Sequence, residues 1–183
     1  VRQYLKNSIV FDFTGTKEAD TDQQLQNFYE EYRKRVKQKK YTTAPSSWQE
    51  AFRYLAEYLQ SLPKGKTKRV VFIDEMPWLD TPKSGFVPAL EFFWNQHGAV
   101  MDNLLLVACG SASSWIKKKL IEARGGLYNR VTHRIQLMPF NLYETELFME
   151  SMGIKLTRYQ LLELYMVMGG IPFYLKEAVK GKS

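Results

Sequence analysis

The chain has 183 residues, of which 45% are apolar, a single cysteine and a net charge of +7. That is enough for one α/β domain and the start of a small second one. No apolar run approaches the roughly 18 residues of a membrane span, and the first residues lack the basic start and apolar centre of a signal peptide. A cytoplasmic location is the simplest reading, and no membrane partner is expected. Cys109, alone and inside an apolar run, cannot form an internal disulfide or a zinc-cysteine cluster and is expected to act as a small buried hydrophobe.

Val1, Tyr4 and Leu5 have the spacing of one helix face with no capping residue before them, so the chain is expected to begin inside a helix. Ile9 to Phe13 reads as a short strand. Asp20 with Gln23 is a capping-box signature that opens a helix through about Lys37, and Ser47 with Glu50 opens a second. In the latter, Phe52, Leu55, Ala56 and Leu59 form an apolar stripe that ends before Pro63. Val70 to Ile73 is a continuous β-branched and aromatic run, as expected for a strand covered on both faces of a parallel sheet. Gly85 to Gln96 looks helical, and Leu104 to Cys109 repeats the buried-strand pattern. Gly110 and the serines after it open a further helix through about Ala123, and Arg134 to Leu137 reads as a last strand. Strand and helix alternate, which predicts a parallel sheet with helices on both sides.

Beyond Pro139 the pattern changes. Asn141 with Glu144 and Thr157 with Gln160 start two helices with no strand between them. Gly169-Gly170 stops the second, and Pro172 suits the first turn of a third. The expected division is therefore residues 1–140 as an α/β core and residues 141–183 as the start of a helical segment.

Val70-Val71-Phe72-Ile73-Asp74-Glu75 fits the Walker B pattern of four apolar residues followed by Asp-Glu. A buried strand there delivers two carboxylates to the carboxyl edge of a sheet, where open α/β folds bind ligands. Asp74 is the candidate to hold Mg²⁺, directly or through water, and Glu75 the candidate to orient and activate the water that attacks the γ-phosphate of ATP. The other reading of the pattern is an ordinary strand followed by a solvated turn; the neighbouring strand favours the first. Leu104 to Cys109 is followed by Gly110-Ser111, which places a polar residue at the tip of that strand. Ser111 is the sensor candidate; alternatively Ser111 or Ser113 caps the helix that begins near Ala112. Arg130, in the loop Gly125-Gly126-Leu127-Tyr128-Asn129 before the last strand, is a better candidate than Arg134 to stabilise transition-state charge, with a surface role as the alternative. Such an arginine often serves a neighbouring subunit's nucleotide, which makes a homo-oligomer an open expectation.

Basic residues gather at Arg33 to Lys40, Lys64 to Arg69 and Lys117 to Lys119. They suit either nucleic acid or solvated helix faces, and the absence of aromatic interleaving or a known motif favours solvation. A basic nucleic-acid-binding or scaffold module with vestigial ATPase features is thus the alternative function. His97 and His133 have no partner at metal-ligand spacing. Gly65-Lys66-Thr67 and Gly181-Lys182-Ser183 copy the end of a phosphate loop, but the required earlier glycine is replaced by Gln60 and Lys176.

Taken together, several segments resemble the prokaryotic AAA-type P-loop ATPase family described as predominantly archaeal, with its bacterial ATP-binding relatives. They are Thr14-Gly15 after the first strand, Phe72-Ile73-Asp74-Glu75 with Trp78-Leu79, Cys109-Gly110-Ser111-Ala112, Leu127-Tyr128-Asn129-Arg130 leading to Leu137-Met138-Pro139-Phe140, and Gly169-Gly170-Ile171-Pro172-Phe173-Tyr174-Leu175. The resemblance implies a three-layer αβα core with a parallel sheet, then a helical or winged-helix lid from Asn141. It also implies a phosphate loop just upstream, whose strand lies in the middle of the sheet, and often a further nuclease-like C-terminal domain. The sequence contains no complete phosphate loop, so this segment alone is expected to bind ATP weakly.

Overall fold

The computed structural model describes residues 2–36, 40–63, 65, 67–111, 113–122, 127 and 130–178. Several expectations fall outside these residues: the helix face at Val1, the basic side chains of Lys37, Lys39, Lys64 and Lys66, and the helix limit near Ala123. So do Ala112, the loop residues Gly125, Gly126, Tyr128 and Asn129, and Gly181-Lys182-Ser183. The chain divides into two compact units, Val1–Thr132 and His133–Ser183.

The first unit is mixed α/β. A short helix α1 (Arg2–Leu5) precedes β1 (Ile9–Thr14), and two capped helices follow. The Asp20 carboxylate accepts from the Gln23 N–H at 2.8 Å to start α2 (Thr21–Arg35), and the Ser47 hydroxyl accepts from the Glu50 N–H at 3.3 Å to start α3 (Trp48–Ser61). Each cap satisfies a backbone donor that the helix itself leaves unpaired. β2 (Arg69–Asp74), α4 (Phe86–Gln96), β3 (Leu104–Ala108) and α5 (Ser113–Ile116) complete the unit, with a π-helical turn at Lys117–Ile121.

The three strands are parallel in the order β1-β2-β3, so the strand ending in Asp74 is central. Thr14 lies opposite Asp74, and Ile73 opposite Ala108. Parallel neighbours need long crossovers, which α2 with α3 and then α4 supply. The alternation of side chains along each strand sends Phe11, Phe13, Val71 and Ile73 to one face. There they share a core with Leu25 and Phe28 of α2, Trp48, Phe52 and Leu55 of α3, and Phe86 and Phe93 of α4. Burying each such side chain is worth about 1.5–3 kcal/mol. The other face carries Asp12, Val70 and Phe72; Val70 and Phe72 are buried, and the Arg2 guanidinium lies 5.2 Å from the Phe72 ring centroid. Among the described residues one core joins α2, α3 and α4 to the first face, while Arg2 of α1 lies over Phe72 on the other.

The second unit is helical, as its capping signals predicted. Asn141 and Glu144 form a complete capping box at α6 (Leu142–Ser151), as do Thr157 and Gln160 at α7 (Arg158–Met168). Gly169 ends α7 and Pro172 starts α8 (Pro172–Leu175). Met149, Ile154 and Leu175 form the small core, with Phe140, Phe148 and Leu164 packed around it. Gly170 is there for proximity: its carbonyl accepts from the Phe140 N–H at 2.7 Å, and a Cβ on it would fall on the Phe140 backbone.

Arg134 to Leu137 forms no strand. Residues 131–140 are neither helix nor strand, and Ile135 and Leu137 are 83% and 84% exposed. An apolar alternation becomes a strand only where a neighbour pairs its backbone, and no described strand does so.

Candidate functional site

All three strands end at the same edge of the sheet, and the hydrogen-bond pattern continues past them. The Gly15 N–H donates to the Asp74 carbonyl, the Cys109 N–H to the Ile73 carbonyl and the Met76 N–H to the Cys109 carbonyl, each at 2.9 Å. The segments Thr14-Gly15, Asp74-Glu75 and Cys109-Gly110-Ser111 are therefore laced together.

At Glu75 the chain turns sharply, with φ 44° and ψ 44°. This left-handed conformation costs a residue with a β-carbon roughly 1–2 kcal/mol. The turn aims the Glu75 carboxylate at the tip of β3. Its Oε2 accepts from the Ser111 N–H at 3.3 Å and from the Ser111 hydroxyl at 3.2 Å. The Ser111 hydroxyl is thus engaged with Glu75. Gly15 packs against the same turn, where a Cβ would lie inside the van der Waals shell of the Glu75 carbonyl oxygen and 3.1 Å from Trp78 Cβ.

Asp74 has a different environment at each oxygen. Oδ1 accepts from the Cys109 thiol at 2.7 Å and from the Glu75 N–H at 3.1 Å, whereas Oδ2 stands 3.3 Å from an Arg2 guanidinium nitrogen. Burial and the bond to Asp74 push the Cys109 thiol up to about 11, so it stays protonated as a donor. Cys109 is half-buried, and its thiol is tied to the site, which corrects the expectation of a purely apolar role. Arg2 also faces Asp12 at 3.4 Å and donates to the Thr14 hydroxyl at 2.7 Å. Arg35, at the end of α2, pairs with Asp12 from the other side and with Glu31 at 2.9 Å.

Asp74, Glu75 and Ser111 are therefore neighbours. Arg130 is exposed; its backbone N–H donates to the Leu127 carbonyl, and no contact joins its side chain to these three. Sequence reasoning missed Arg2, Asp12 and Gln24. Gln24, 1% exposed, accepts from the Thr16 N–H at 3.0 Å and donates to the Thr16 and Trp78 carbonyls at 2.6 and 3.0 Å. It ties the loop after β1 to the turn after β2. A polar residue at the i−1 position of an apolar helical stripe was the only signal for it.

Among the described residues no three His, Cys, Asp or Glu side chains converge as a metal cluster. Asp74 Oδ2 offers one hard oxygen of the kind Mg²⁺ takes, one or two carboxylates with water and phosphate in its other positions, although the Arg2 guanidinium stands 3.3 Å from it. Much of the basic character is neutralised locally: Lys34 and Arg35 pair with Glu31, Lys40 with Glu57, Lys117 with Glu122 and Lys119 with Asp80. No described helix is long and apolar enough to cross a membrane. Comparisons of the chain with protein-family models, curated proteins and solved structures find no match.

Proposed function

We propose that this chain is the Walker B portion of an AAA-type P-loop ATPase core, with Asp74 and Glu75 as its catalytic acids and the phosphate loop supplied by a segment outside these residues. The observation that carries this reading is the convergence of Asp74, Glu75 and Ser111 from the tips of two adjacent parallel strands. Among the described residues β3 is an edge strand, where a further parallel strand could pair.

In this reading Asp74 Oδ2 holds Mg²⁺, with Oδ1 fixed by Cys109 and the Glu75 N–H so that the outer oxygen keeps one orientation. Mg²⁺, if bound there, would supply positive charge that offsets the negative charge developing on the terminal phosphates of ATP. Glu75 accepts a proton from the attacking water, and the strained turn holds its carboxylate in place. Ser111, whose N–H and hydroxyl both donate to Glu75 Oε2, orients the carboxylate that takes the proton. Arg130 is assigned no step here.

The test is ATP turnover by the full-length protein and its Glu75→Gln variant. Loss of the base should slow turnover by ~10²- to 10⁴-fold. Equal rates would sink the assignment.

A further inference from the structure

We propose that Arg2 is the resident counter-ion of Asp74 and that Asp12 is its second seat, so that Arg2 passes from one carboxylate to the other when a divalent cation takes the outer oxygen of Asp74. The inference rests on the reading of Asp74 as a cation holder.

It starts from the unequal oxygens of Asp74. Oδ1 is taken by two donors that belong to the strand tips, the Cys109 thiol and the Glu75 N–H. Oδ2 has Arg2 as its near cation, at 3.3 Å. A metal ion must approach that oxygen to about 2.0–2.1 Å, and two cations cannot share it at these distances without strong repulsion. Arg2 must therefore leave Oδ2 before, or as, the cation arrives.

The structure provides a place to go. The other guanidinium nitrogen of Arg2 already lies 3.4 Å from Asp12 Oδ2, and Thr14 Oγ1 accepts from Arg2 at 2.7 Å. Asp12 Oδ1 belongs to Arg35, whose own position is fixed by Glu31, so Asp12 keeps one oxygen for each arginine. A planar guanidinium has five donors in a rigid fork, so a small pivot over the Phe72 ring converts shared pairing into pairing with Asp12 alone. The side chains of Arg2, Asp74 and Asp12 are 49%, 30% and 20% exposed, which leaves a path for the ion from solvent. Arg2 is thus a positioning residue: it keeps Asp74 paired while the site is empty and sets the threshold for cation entry.

The experiment titrates the chain with Mn²⁺ alone and reads free Mn²⁺ by electron paramagnetic resonance. An exposed pair of this kind is worth up to about 1 kcal/mol, so Arg2→Ala should tighten Mn²⁺ binding about three- to fivefold. Asp12→Asn, which removes the second seat and leaves Arg2 on Asp74, should weaken it by a similar factor. In the double variant the Asp12 substitution should lose most of its effect, because it acts through Arg2. Arg2→Gln, which keeps a longer polar side chain without the charge, should behave as Arg2→Ala and guards against a folding defect. Coincident titrations of wild type and Arg2→Ala overturn the proposal. So do single effects that simply add in the double variant, as a bulk field would give. If instead Asp74→Asn leaves Mn²⁺ binding unchanged, the reading of Asp74 as the cation holder fails first.

Discussion

Gly15→Ala offers a direct probe of how the strand tips are fitted together. Gly15 is not among the residues with positive φ, so alanine can adopt its backbone conformation, and the loss of unfolded-state freedom alone would stabilise the variant by about 0.4–1 kcal/mol. Opposing this, the new methyl would overlap the Glu75 carbonyl oxygen and crowd Trp78 Cβ at 3.1 Å and Leu79 Cγ at 3.2 Å. Backbone atoms cannot move aside as a flexible side chain can, and overpacking of this kind costs about 1–3 kcal/mol. The net expectation is a loss of about 1–2 kcal/mol. Urea unfolding followed by tryptophan fluorescence measures it, with Gly65→Ala as the control, since a Cβ at Gly65 meets nothing within 4 Å. A Gly15→Ala midpoint equal to or above that of Gly65→Ala would refute the packing account. Because the displaced atom is the Glu75 carbonyl, turnover by the full-length variant should fall as well.

Gln24→Leu keeps the volume of a buried side chain but strands three backbone groups, at Thr16 and Trp78, that Gln24 now serves. With each hydrogen bond worth about 1 kcal/mol, the variant should lose about 3 kcal/mol in urea unfolding, and an unchanged midpoint would show that water satisfies those groups instead. Glu57 is held below the ordinary value of 4.5 by its hydrogen bond to Lys40 first and by Tyr41 second. A depressed carboxylate contributes stability above its unfolded pKa and loses it as pH falls through the folded value. Glu57→Gln should therefore be less stable than the wild type at neutral pH, with the two profiles converging as pH falls below about 4.5, so that the variant's acid limb is flatter; an equal stability at neutral pH with superimposable acid limbs would contradict the pairing.

Much of the local structure was legible because its causes are local. Asp20, Ser47, Asn141 and Thr157 each start a helix because a short polar side chain reaches a backbone N–H three residues on. Val70 to Ile73 is buried on both faces and paired on both edges as the central strand, and its unbroken apolar run anticipated the burial. The segment from Arg134 to Leu137 shows the limit of the same logic. Its apolar pattern describes what it could bury, while pairing depends on a neighbour that its own sequence does not specify.

The candidate site divides along the same line. That Asp74 and Glu75 stand at the end of a buried strand, with Ser111 after another, followed from residue type and spacing alone. Three things were settled by the tertiary structure: that Ser111 bonds to Glu75, that Cys109 and Arg2 claim different oxygens of Asp74, and that Gln24 holds the two loops. The physical reason is range. Capping and strand burial are decided within a few residues, whereas a hydrogen bond between residues 36 apart or an ion pair between Arg2 and Asp74 exists only once strand order and register have brought them together.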